Sequence, residues 1–337
     1  MSEFFKEKDE IIKWLARQNI DKYIIHENLI VDVYEAVNLK RSSCNGFIPI
    51  QFGIVKGDFN CFKLNLSSLK GCPTEVVGNF NCCGNKLTTM ENCPIKITGD
   101  LDCSVNLLIS LKGCPITIGG DFYCNDNKLE TLEFCPQIVC GDFYCDQNKL
   151  QSLLYSPNEV HGDFICNNNK LRSLQYISNM ISGGINCDHN ELINLKYSPE
   201  EVHGNFSCSA NKLKSLIYSP KIINGGFFCN KNELVSLQYL PEYIKEDLDC
   251  SDNKLTTFEF FPCIVDSLNI SGNPIEKKAL ANFNIQVLNY FWCSGLGYNS
   301  NEEFFNAVNI EKINKEKKEL DLNLAVGHLS TLNKKRL

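Results

Sequence analysis

The sequence has few of the features that mark membrane or secreted proteins. It contains no run of about 18 apolar residues, the length that a membrane-spanning helix needs. The opening segment MSEFFKEKDEIIKWL mixes acidic and basic residues, and it lacks the apolar stretch and small-residue cleavage site of a signal peptide. We therefore expect a cytoplasmic protein without a membrane partner, or one whose delivery signal is of another kind.

Catalytic and metal-binding signatures are missing as well. The sequence has no P-loop, no H-E-x-x-H motif, no G-x-S-x-G elbow and no Rossmann fingerprint. No two cysteines form a C-x-x-C pair, and the 5 histidines are scattered. We predict no catalytic residue, cofactor or metal ion. An enzyme would have to place its chemistry in the segment NYFWCSGLGYNSNEEFF, with Cys293 exposed and reactive.

What the sequence does contain is one phrase repeated every 21 residues. A cysteine recurs without any insertion at Cys61, Cys82, Cys103, Cys124, Cys145, Cys166, Cys187, Cys208, Cys229 and Cys250. One more copy, SLNISGNPI, follows after 20 residues with Ile270 in the cysteine position. A fixed period of this length indicates a stack of repeated units.

Other columns keep the same phase as the cysteine. In the first copy they are Phe59, Leu66, Leu69, Pro73 and Val76, and an asparagine three residues after the cysteine joins them from the second copy onward. The alternation in Phe-x-Cys predicts a strand with one buried face. Proline restricts the return segment, which leads to the strand of the next unit, to extended or irregular backbone. Each unit is therefore predicted to be a strand, a turn and a short return, stable only when stacked on its neighbours as a solenoid.

The consensus F-x-C-x-x-N-x-L-x-x-L-x-x-x-P-x-x-V resembles the short bacterial type of leucine-rich repeat, with phenylalanine and cysteine replacing the two strand leucines. The resemblance covers about residues 57–275, and the run NLIVDV…VNL before them is similar to the leading segment of repeat proteins from bacteria and their phages. It implies a right-handed leucine-rich-repeat solenoid with a parallel sheet on its concave side, a fold used mostly to bind proteins.

We divide the chain into three parts. Residues 1–56 are predicted to form an N-terminal helical cap and a degenerate first coil, because apolar residues from Phe4 to Leu15 follow helical spacing. Residues 57–275 form a leucine-rich-repeat array of about eleven coils, and residues 276–337 a C-terminal cap with a helical tail of one or two helices. Such end segments cover the outermost coils of a solenoid.

The regular columns of polar and sulfur-containing residues have structural interpretations. The 19 cysteines mostly recur at a core position, which favours packed free thiols over a disulfide framework. Because Cys82 and Cys83 are adjacent, one should point inward, and Cys83 is predicted to be the exposed thiol. The asparagines, replaced by Leu64 in the first unit, are predicted to form a ladder that satisfies backbone groups at the turns.

A second aromatic column begins partway along the array. Its members are Phe134, Tyr155, Tyr176, Tyr197, Tyr218, Tyr239 and Phe260. In earlier coils the same position holds Gly71, Asn92 and Gly113. We interpret the change as a different packing solution on the return side, with stacked rings that fill volume. The alternative is a binding stripe along that edge.

The outward strand positions offer the best candidate site. Three apolar residues stand in one such column on consecutive coils, and aspartates surround them, an arrangement typical of a protein-binding hot spot. The other interpretation is a solvated sheet face whose aspartates serve only the turns. The candidate binding residues are Tyr123, Tyr144, Ile165, Asp100, Asp102, Asp121, Asp142, Asp146, Asp163, Asp188 and Phe228.

The charge of the array bears on its partner. Residues 57–275 contain 16 lysines and arginines and 25 aspartates and glutamates, a net charge of −9 with neutral histidines. This balance disfavours nucleic acid and favours a partner protein with a basic surface. We predict a non-enzymatic protein-binding solenoid. It would be a bacterial or phage protein that acts as an effector or inhibitor of a host protein. The alternatives are a protein that sequesters a small molecule and, third, an enzyme that uses the C-terminal segment.

Overall fold

The computed structural model describes residues 4–44, 46–262, 264–295 and 300–334. Within these residues the chain coils into a stack, and each coil contributes one strand to a sheet of 13 parallel strands, here named the front sheet. Its strands are Val37–Asn38, Phe59–Asn60, Phe80–Asn81, Leu101–Asp102, Phe122–Tyr123, Phe143–Tyr144, Phe164–Ile165, Ile185–Asn186, Phe206–Ser207, Phe227–Phe228, Leu248–Asp249, Leu268–Asn269 and Phe291–Trp292. The predicted class, a leucine-rich-repeat solenoid with a parallel sheet, is confirmed.

The return half of each coil contains a second strand that was not predicted from the sequence. These back strands form sheets of nine, three and two strands in the described part of the chain. They are Tyr23–Ile25, Ile30–Val33, Gln51–Val55, Glu75–Val76, Lys96–Ile97, Thr117–Ile118, Ile138–Val139, Glu159–Val160 and Met180–Ile181; then Glu201–Val202, Ile222–Ile223 and Tyr243–Ile244; then Ile264–Val265 and Gln286–Val287. Only the first pair is antiparallel. The second residue of each two-residue back strand belongs to the aliphatic column that closes the unit. The first residue of the strand therefore faces away from the core.

Helices lie at the two ends of the stack. Helix α1 spans Lys8–Gln18, helix α2 spans Arg41–Cys44, a 3-10 helix spans Lys277–Asn282, and helix α3 spans Asn301–Lys334. The C-terminal tail, predicted as one or two helices, is one continuous helix. Within the charged run EKINKEKKEL, residues 313–319 are exposed, as expected for a solvated helical face.

The apolar columns point into one continuous core. Phe59, Cys61, Leu66, Leu69 and Val76 of a single coil are all 0% exposed. Equivalent side chains stack from coil to coil, so the rings of Phe59 and Phe80 lie 5.7 Å apart between centroids. Each coil therefore completes the hydrophobic core of its neighbours, which explains why one unit could not fold alone.

A cysteine replaces leucine in the strand without loss of packing. The thiol is small and apolar enough to be buried, and it is also a weak hydrogen-bond donor. Cys103 Sγ lies 3.2 Å from the carbonyl oxygen of Tyr123 in the next coil, and Cys187 Sγ lies 3.1 Å from that of Ser207. The same carbonyls accept the backbone N–H groups of these cysteines. The thiols thus add a second link between adjacent coils.

The asparagine ladder is confirmed, and its geometry shows how the turns are held. Asn169 Nδ2 donates to the carbonyls of Cys145 and Cys166, at 3.0 and 3.1 Å, so one amide group bridges two coils. Its Oδ1 accepts the backbone N–H of Leu150 at 2.9 Å. The side chain is 9% exposed, and the backbone groups that it satisfies would otherwise be buried without partners.

The front sheet continues beyond residues 57–275 at both ends. Val37–Asn38 pairs with Phe59–Asn60, and Phe291–Trp292 pairs with Leu268–Asn269. The triplet Phe291-Trp292-Cys293 repeats the Phe-x-Cys pattern, but its cysteine stands 23 residues after Ile270 and so falls outside the 21-residue period. The division into caps and array stays a prediction, with α1 contributing the buried Ile11, Trp14 and Leu15.

The cysteines that the structure describes are free thiols, and most are buried. The prediction that Cys83 is exposed is wrong, because its side chain is only 9% exposed and accepts a hydrogen bond from the Ser104 hydroxyl at 3.2 Å. Strand alternation ends at the cysteine, and the next residue lies in the turn between coils. Among the cysteines that the structure describes, the exposed one is Cys140, on the return side.

The interpretation of the second aromatic column as packing is also wrong. Its rings are about half exposed: Phe134 50%, Tyr155 54%, Tyr176 52%, Tyr197 46%, Tyr218 56%, Tyr239 54% and Phe260 51%. They stand on the turn that follows the second leucine column, where the coil has already closed over its core. These residues therefore fill little interior volume.

Removing one rung of the asparagine ladder should destabilise the fold strongly. We expect Asn169→Ala to lower the free energy of unfolding by about 2–4 kcal/mol, because it leaves a buried N–H and two carbonyls with fewer partners. Lys170→Ala, at the exposed neighbouring position, should change it by less than about 0.5 kcal/mol. Urea unfolding followed by circular dichroism measures both; equal stability of the two variants would contradict the role of the ladder.

Reducing agent should have almost no effect on thermal stability. The described thiols are free and mostly buried, so the fold does not depend on disulfide bonds. We expect the same melting temperature, within about 1 °C, with and without a strong reductant. Calorimetry under both conditions tests this, and a large fall on reduction would show that disulfides stabilise the native chain.

Candidate binding face

The structure brings the predicted apolar residues together on the front sheet. Tyr123 pairs in register with Tyr144, and Tyr144 pairs with Ile165, so the three side chains stand side by side on neighbouring strands. The two tyrosine rings stack with their centroids 4.6 Å apart and an angle of 12° between their planes. In the same row, Phe228 lies three strands beyond Ile165, after Asn186 and Ser207.

A second ladder runs beside this row, built from the residue that follows each recurrent glycine. The Oδ1 atom of one coil accepts the backbone N–H of the equivalent residue in the next coil, at 2.6–2.8 Å. The accepting side chains are Asp58, Asn79, Asp100, Asp121, Asp142, Asp163 and Asn205. Each of these aspartates therefore joins adjacent coils through one of its oxygens.

The other oxygen holds the tyrosines. The Tyr123 hydroxyl donates to Asp121 Oδ2 at 2.8 Å, and the Tyr144 hydroxyl donates to Asp142 Oδ2 at 3.0 Å. Burial and this hydrogen bond raise the pKa of Tyr144 to about 12 and raise the pKa of Tyr123 as well. Both phenols are thus neutral at physiological pH and fixed in orientation, which makes the stacked pair a rigid platform.

Two of the other predicted aspartates, Asp102 and Asp188, stabilise the fold in another way, whereas a third, Asp146, does not. Asp102 Oδ1 accepts both the backbone N–H and the hydroxyl of Ser104, and Asp188 Oδ1 accepts the hydroxyl of Ser207 and the backbone N–H of Ser209. Asp146 is only 9% exposed, so its prediction as a binding residue is wrong. Asp146 and Asp188 follow the cysteine, where the chain has already turned inward.

Asp146 is poorly satisfied in its buried position. Its Oδ1 atom is buried and has no hydrogen-bond partner among the described residues, although hydrogen bonds from the Asp146 backbone and the Gln147 side chain act to lower the pKa of the carboxyl group. Burial raises the pKa of this carboxyl group, and the nearby charge of Asp126 raises it further. Other coils place asparagine here, at Asn125 and Asn167. An ionised carboxylate at this position therefore opposes folding.

A hollow opens next to the platform where the aspartate ladder is interrupted. Gly184 and Gly226 take the ladder position in their coils and offer no side-chain oxygen. The hollow has a volume of about 570 Å³ and lies between Ile165 and Phe228, with Asp163, Asn186 and Ser207 around it. A Cβ atom at Gly184 would lie 2.7 Å from the carbonyl oxygen of Asn205, so a larger residue would not fit there. This hollow was not predicted from the sequence, although the two glycines mark it.

Other kinds of site have less support in the described residues. No group of three or more His, Cys, Asp or Glu side chains is placed there to hold a metal ion. None of the helices within that part of the chain is long and apolar enough to cross a membrane. Cys293, the residue that an enzyme would need exposed, is 4% exposed in the cysteine row, and burial raises the pKa of its thiol.

A period of 21 residues, buried leucine columns and an asparagine ladder between parallel strands define this chain as a leucine-rich-repeat solenoid. Among solved structures it is similar to YopM from Yersinia enterocolitica, at 16% identity and a TM-score of 0.47 over 80% of this chain and 70% of that one. It is also similar to YopM, a leucine-rich effector protein from Yersinia pestis, at 14% identity and a TM-score of 0.40 over 77% and 88%. No family profile and no curated protein matches the chain.

Asp146, which is buried, and Asp188, which is half-buried, both directly follow the cysteine, and their substitutions are predicted to have opposite effects on stability. Asp146→Asn should raise the free energy of unfolding at pH 7 by about 1 kcal/mol, because it removes a buried charge of which one oxygen, Oδ1, has no hydrogen-bond partner among the described residues. A raised folded-state pKa means that stability is full below the ordinary pKa and is lost as pH rises through the raised value. The gain should therefore disappear toward about pH 3.

The control for Asp146 is Asp188→Ala. It removes the acceptor of two hydrogen bonds and should destabilise the protein by about 1–3 kcal/mol at pH 7. Denaturant unfolding at several pH values measures both variants. A loss of stability in Asp146→Asn at neutral pH would show that this carboxylate has a partner in solution.

Proposed function

We propose that the chain binds a partner protein through the front sheet, and that the tyrosine platform and the adjacent hollow are the contact surface. The observation that carries this proposal is the stacked pair Tyr123–Tyr144, whose hydroxyls are held by Asp121 and Asp142. Fixed aromatic rings lose little conformational entropy on binding, which is why such residues dominate interface hot spots. Ile165 and Phe228 supply apolar anchors on either side of the hollow.

An extended segment of the partner fits this geometry best. Tyr123 and Phe228 are five strands apart, which corresponds to about 24 Å at the usual spacing between strands. About seven residues of extended peptide span that distance. Such a segment would lie across the strands, with an apolar side chain in the hollow and another on the tyrosine rings.

The charge of the array supports a basic partner surface rather than nucleic acid. The net charge of −9 over residues 57–275 attracts a cationic protein and repels phosphates. Asp163 is exposed at the rim of the hollow and accepts a backbone N–H with only one oxygen. A lysine or arginine of the partner would meet it there.

A small molecule is the second candidate ligand, because the hollow of about 570 Å³ is within the size range of ligand sites. Its open position on a sheet face favours the protein partner. An enzyme that uses the C-terminal segment has the least support, since Cys293 is buried. We also propose that the protein is cytoplasmic and acts as a bacterial or phage effector or inhibitor of a host protein; the effector role rests on its resemblance to bacterial and phage repeat proteins.

Truncating the platform should weaken binding without affecting the fold. A partner captured from the native host would be tested against Tyr123→Ala/Tyr144→Ala, for which we expect a loss of about 2 kcal/mol, or about 30-fold in Kd. Neither ring belongs to the core, so the melting temperature should change little. Ile109→Ala, at an exposed position away from the front sheet, serves as the control. Unchanged affinity of the double variant with an intact fold would remove the platform from the interface.

The role of charge requires substitutions that keep the aspartate ladder intact. Charge reversal at Asp121 or Asp142 would remove the acceptor of a backbone N–H, whereas asparagine keeps it, as Asn79 and Asn205 show. Asp58→Asn, Asp100→Asn and Asp163→Asn together keep the ladder and leave the tyrosine acceptors Asp121 and Asp142 in place, and they should slow association and reduce its dependence on salt. Stopped-flow or surface plasmon resonance at several salt concentrations measures this. An unaltered salt dependence would point to a partner surface that is not basic.

A further inference from the structure

The last strand of the front sheet carries an exposed aromatic pair. Tyr290 and Trp292 are two residues apart at this strand, so both side chains leave the same face of the sheet. Their rings stack with centroids 5.6 Å apart and an angle of 25° between their planes, and they are 66% and 46% exposed. Their carbonyl oxygens accept the N–H groups of Leu268 and Ile270 in the coil before, which fixes the strand that carries the rings. The pair therefore contributes little to the core and presents aromatic surface on the front of the stack.

This aromatic pair lies in line with the tyrosine platform. Trp292 continues the same outward row, three strands beyond Phe228. The residues between them in the row are Asp249 and Asn269. A hollow of about 540 Å³ opens beside the two rings, so the described residues leave room for a ligand there. The front sheet thus has a second aromatic contact point near its C-terminal end.

Two carboxylates face the gap between Phe228 and the aromatic pair. Asp247 and Asp249 are half-buried and stand two residues apart at one strand, so they too leave the front face. Asp249 Oδ1 accepts the backbone N–H and the hydroxyl of Ser251, at 2.9 and 2.6 Å, which holds this carboxylate in place. Neither carboxylate forms a salt bridge with a lysine or arginine of the described residues. Their negative charge is therefore available to a ligand on the front sheet.

Asn269, between the acidic and the aromatic pair, offers a hydrogen-bond donor. Its Oδ1 accepts the N–H of Ser271 at 3.1 Å, whereas its Nδ2 donates to no described residue. Asn186, beside the hollow next to Ile165, is held in the same way through the N–H of Asp188 at 3.0 Å. The two amide nitrogens can therefore donate to backbone carbonyls of an extended segment that crosses the strands.

We propose that an arginine of the partner protein binds between the acidic pair and the aromatic pair, an inference that rests on the proposed function of the front sheet. Asp249 and Trp292 are two strands apart, or about 10 Å, so a guanidinium group between them lies about 5 Å from each. A cation–π contact operates at this distance from a ring. Arginine suits the site better than lysine, because its planar guanidinium can stack on a ring while its N–H groups point in plane toward carboxylates.

The register of the sheet fixes the place of the arginine in the partner. Three strand spacings, or about 14 Å, separate the middle of the tyrosine platform from the hollow between Asn186 and Ser207. The same distance separates that hollow from the gap between Asp249 and Asn269. About four residues of extended chain span 14 Å, and residues four apart point to the same side. The partner segment should therefore carry apolar side chains at positions i and i+4 and an arginine at position i+8.

Selected peptides test this spacing. Random peptides of about 16 residues, long enough to cross the front sheet, would be selected by phage display against the native chain. Fluorescence anisotropy then gives the Kd of each selected peptide. We expect a consensus of two apolar residues and an arginine at intervals of four. Replacing the arginine by lysine should raise the Kd about threefold, and replacing it by alanine about 30-fold.

Variants of the chain locate the arginine. Trp292→Ala should raise the Kd of the selected peptides about tenfold. Asp247→Asn with Asp249→Asn should have a similar effect, since asparagine removes the charge but keeps an acceptor for Ser251. Leu288→Ala is the matched control: it truncates an exposed side chain of the last coil away from the front sheet and should leave the Kd unchanged. Melting curves check that each variant is folded.

Fluorescence quenching tests the site in the native chain, without any substitution. The chain has 2 tryptophans, and Trp14 is 3% exposed, so acrylamide quenches mainly Trp292. A bound peptide that itself lacks tryptophan should reduce this quenching by about half, because the guanidinium covers one face of the ring.

The possible results separate this inference from the proposed function. Peptides that lose affinity for Tyr123→Ala/Tyr144→Ala but bind Trp292→Ala as tightly as the native chain would overturn the arginine site and leave the platform as the interface. A consensus without the arginine, or quenching that the peptide leaves unaltered, also counts against the site. Peptides that respond to neither variant, or a selection that enriches no peptide, would refute both proposals.

Discussion

At the turn that follows each front strand, a single asparagine side chain forms hydrogen bonds with the backbone N–H and C=O groups that the turn leaves unpaired. Its amide group reaches the carbonyl that follows the strand in its own coil and the equivalent carbonyl of the coil before, while its oxygen accepts an N–H of that earlier coil. Because each asparagine must reach two neighbouring coils, the ladder holds successive turns at one spacing, and it does so across the 20-residue step to Asn273 as well. The regular front sheet, the stacked core and the in-register outward rows all follow from this constraint.

Constant register has a direct consequence for the surfaces. A side chain that changes the character of one outward row does so next to its equivalents, so a few substitutions create a continuous feature. On the front sheet, two tyrosines and two glycines produce a rigid platform beside a hollow. On the return side, seven aromatic residues produce a row along the stack. The two surfaces draw on different positions of the same repeat and can therefore differ in charge.

Much of the fold could be predicted from the sequence because a period of 21 residues reports the same environment ten times. The strand, the buried columns and the asparagine ladder each appear as a column, and no single residue has to carry the inference. The prediction was weaker where the environment is set by the path of the backbone rather than by periodicity. By their spacing alone, Cys83 and Asp146 continue the inward–outward alternation of the strand. The strand ends before them, however, and the chain has already turned.

The candidate site shows the same limit. Tyr123, Tyr144 and Ile165 could be placed side by side from their spacing alone. Spacing could not reveal that each aspartate beside them gives one oxygen to the next coil, nor that the turn of the second aromatic column is left-handed. Both depend on backbone orientation, and in both cases a glycine elsewhere in the column was the one clue in the sequence.

The two sheets of the stack are not equally continuous. The front sheet runs through every described coil without a break, whereas the back strands divide after Met180–Ile181 and again after Tyr243–Ile244. At those two levels the paired strands that join the coils lie on the front side only. Backbone hydrogen bonds outside the strands, from Gly204 N–H to the Gly183 carbonyl and from Asp266 N–H to the Glu246 carbonyl, still bridge these levels. The coils are therefore joined by fewer strand pairs on the back of the stack than on the front, and the back is the side where local opening costs less free energy.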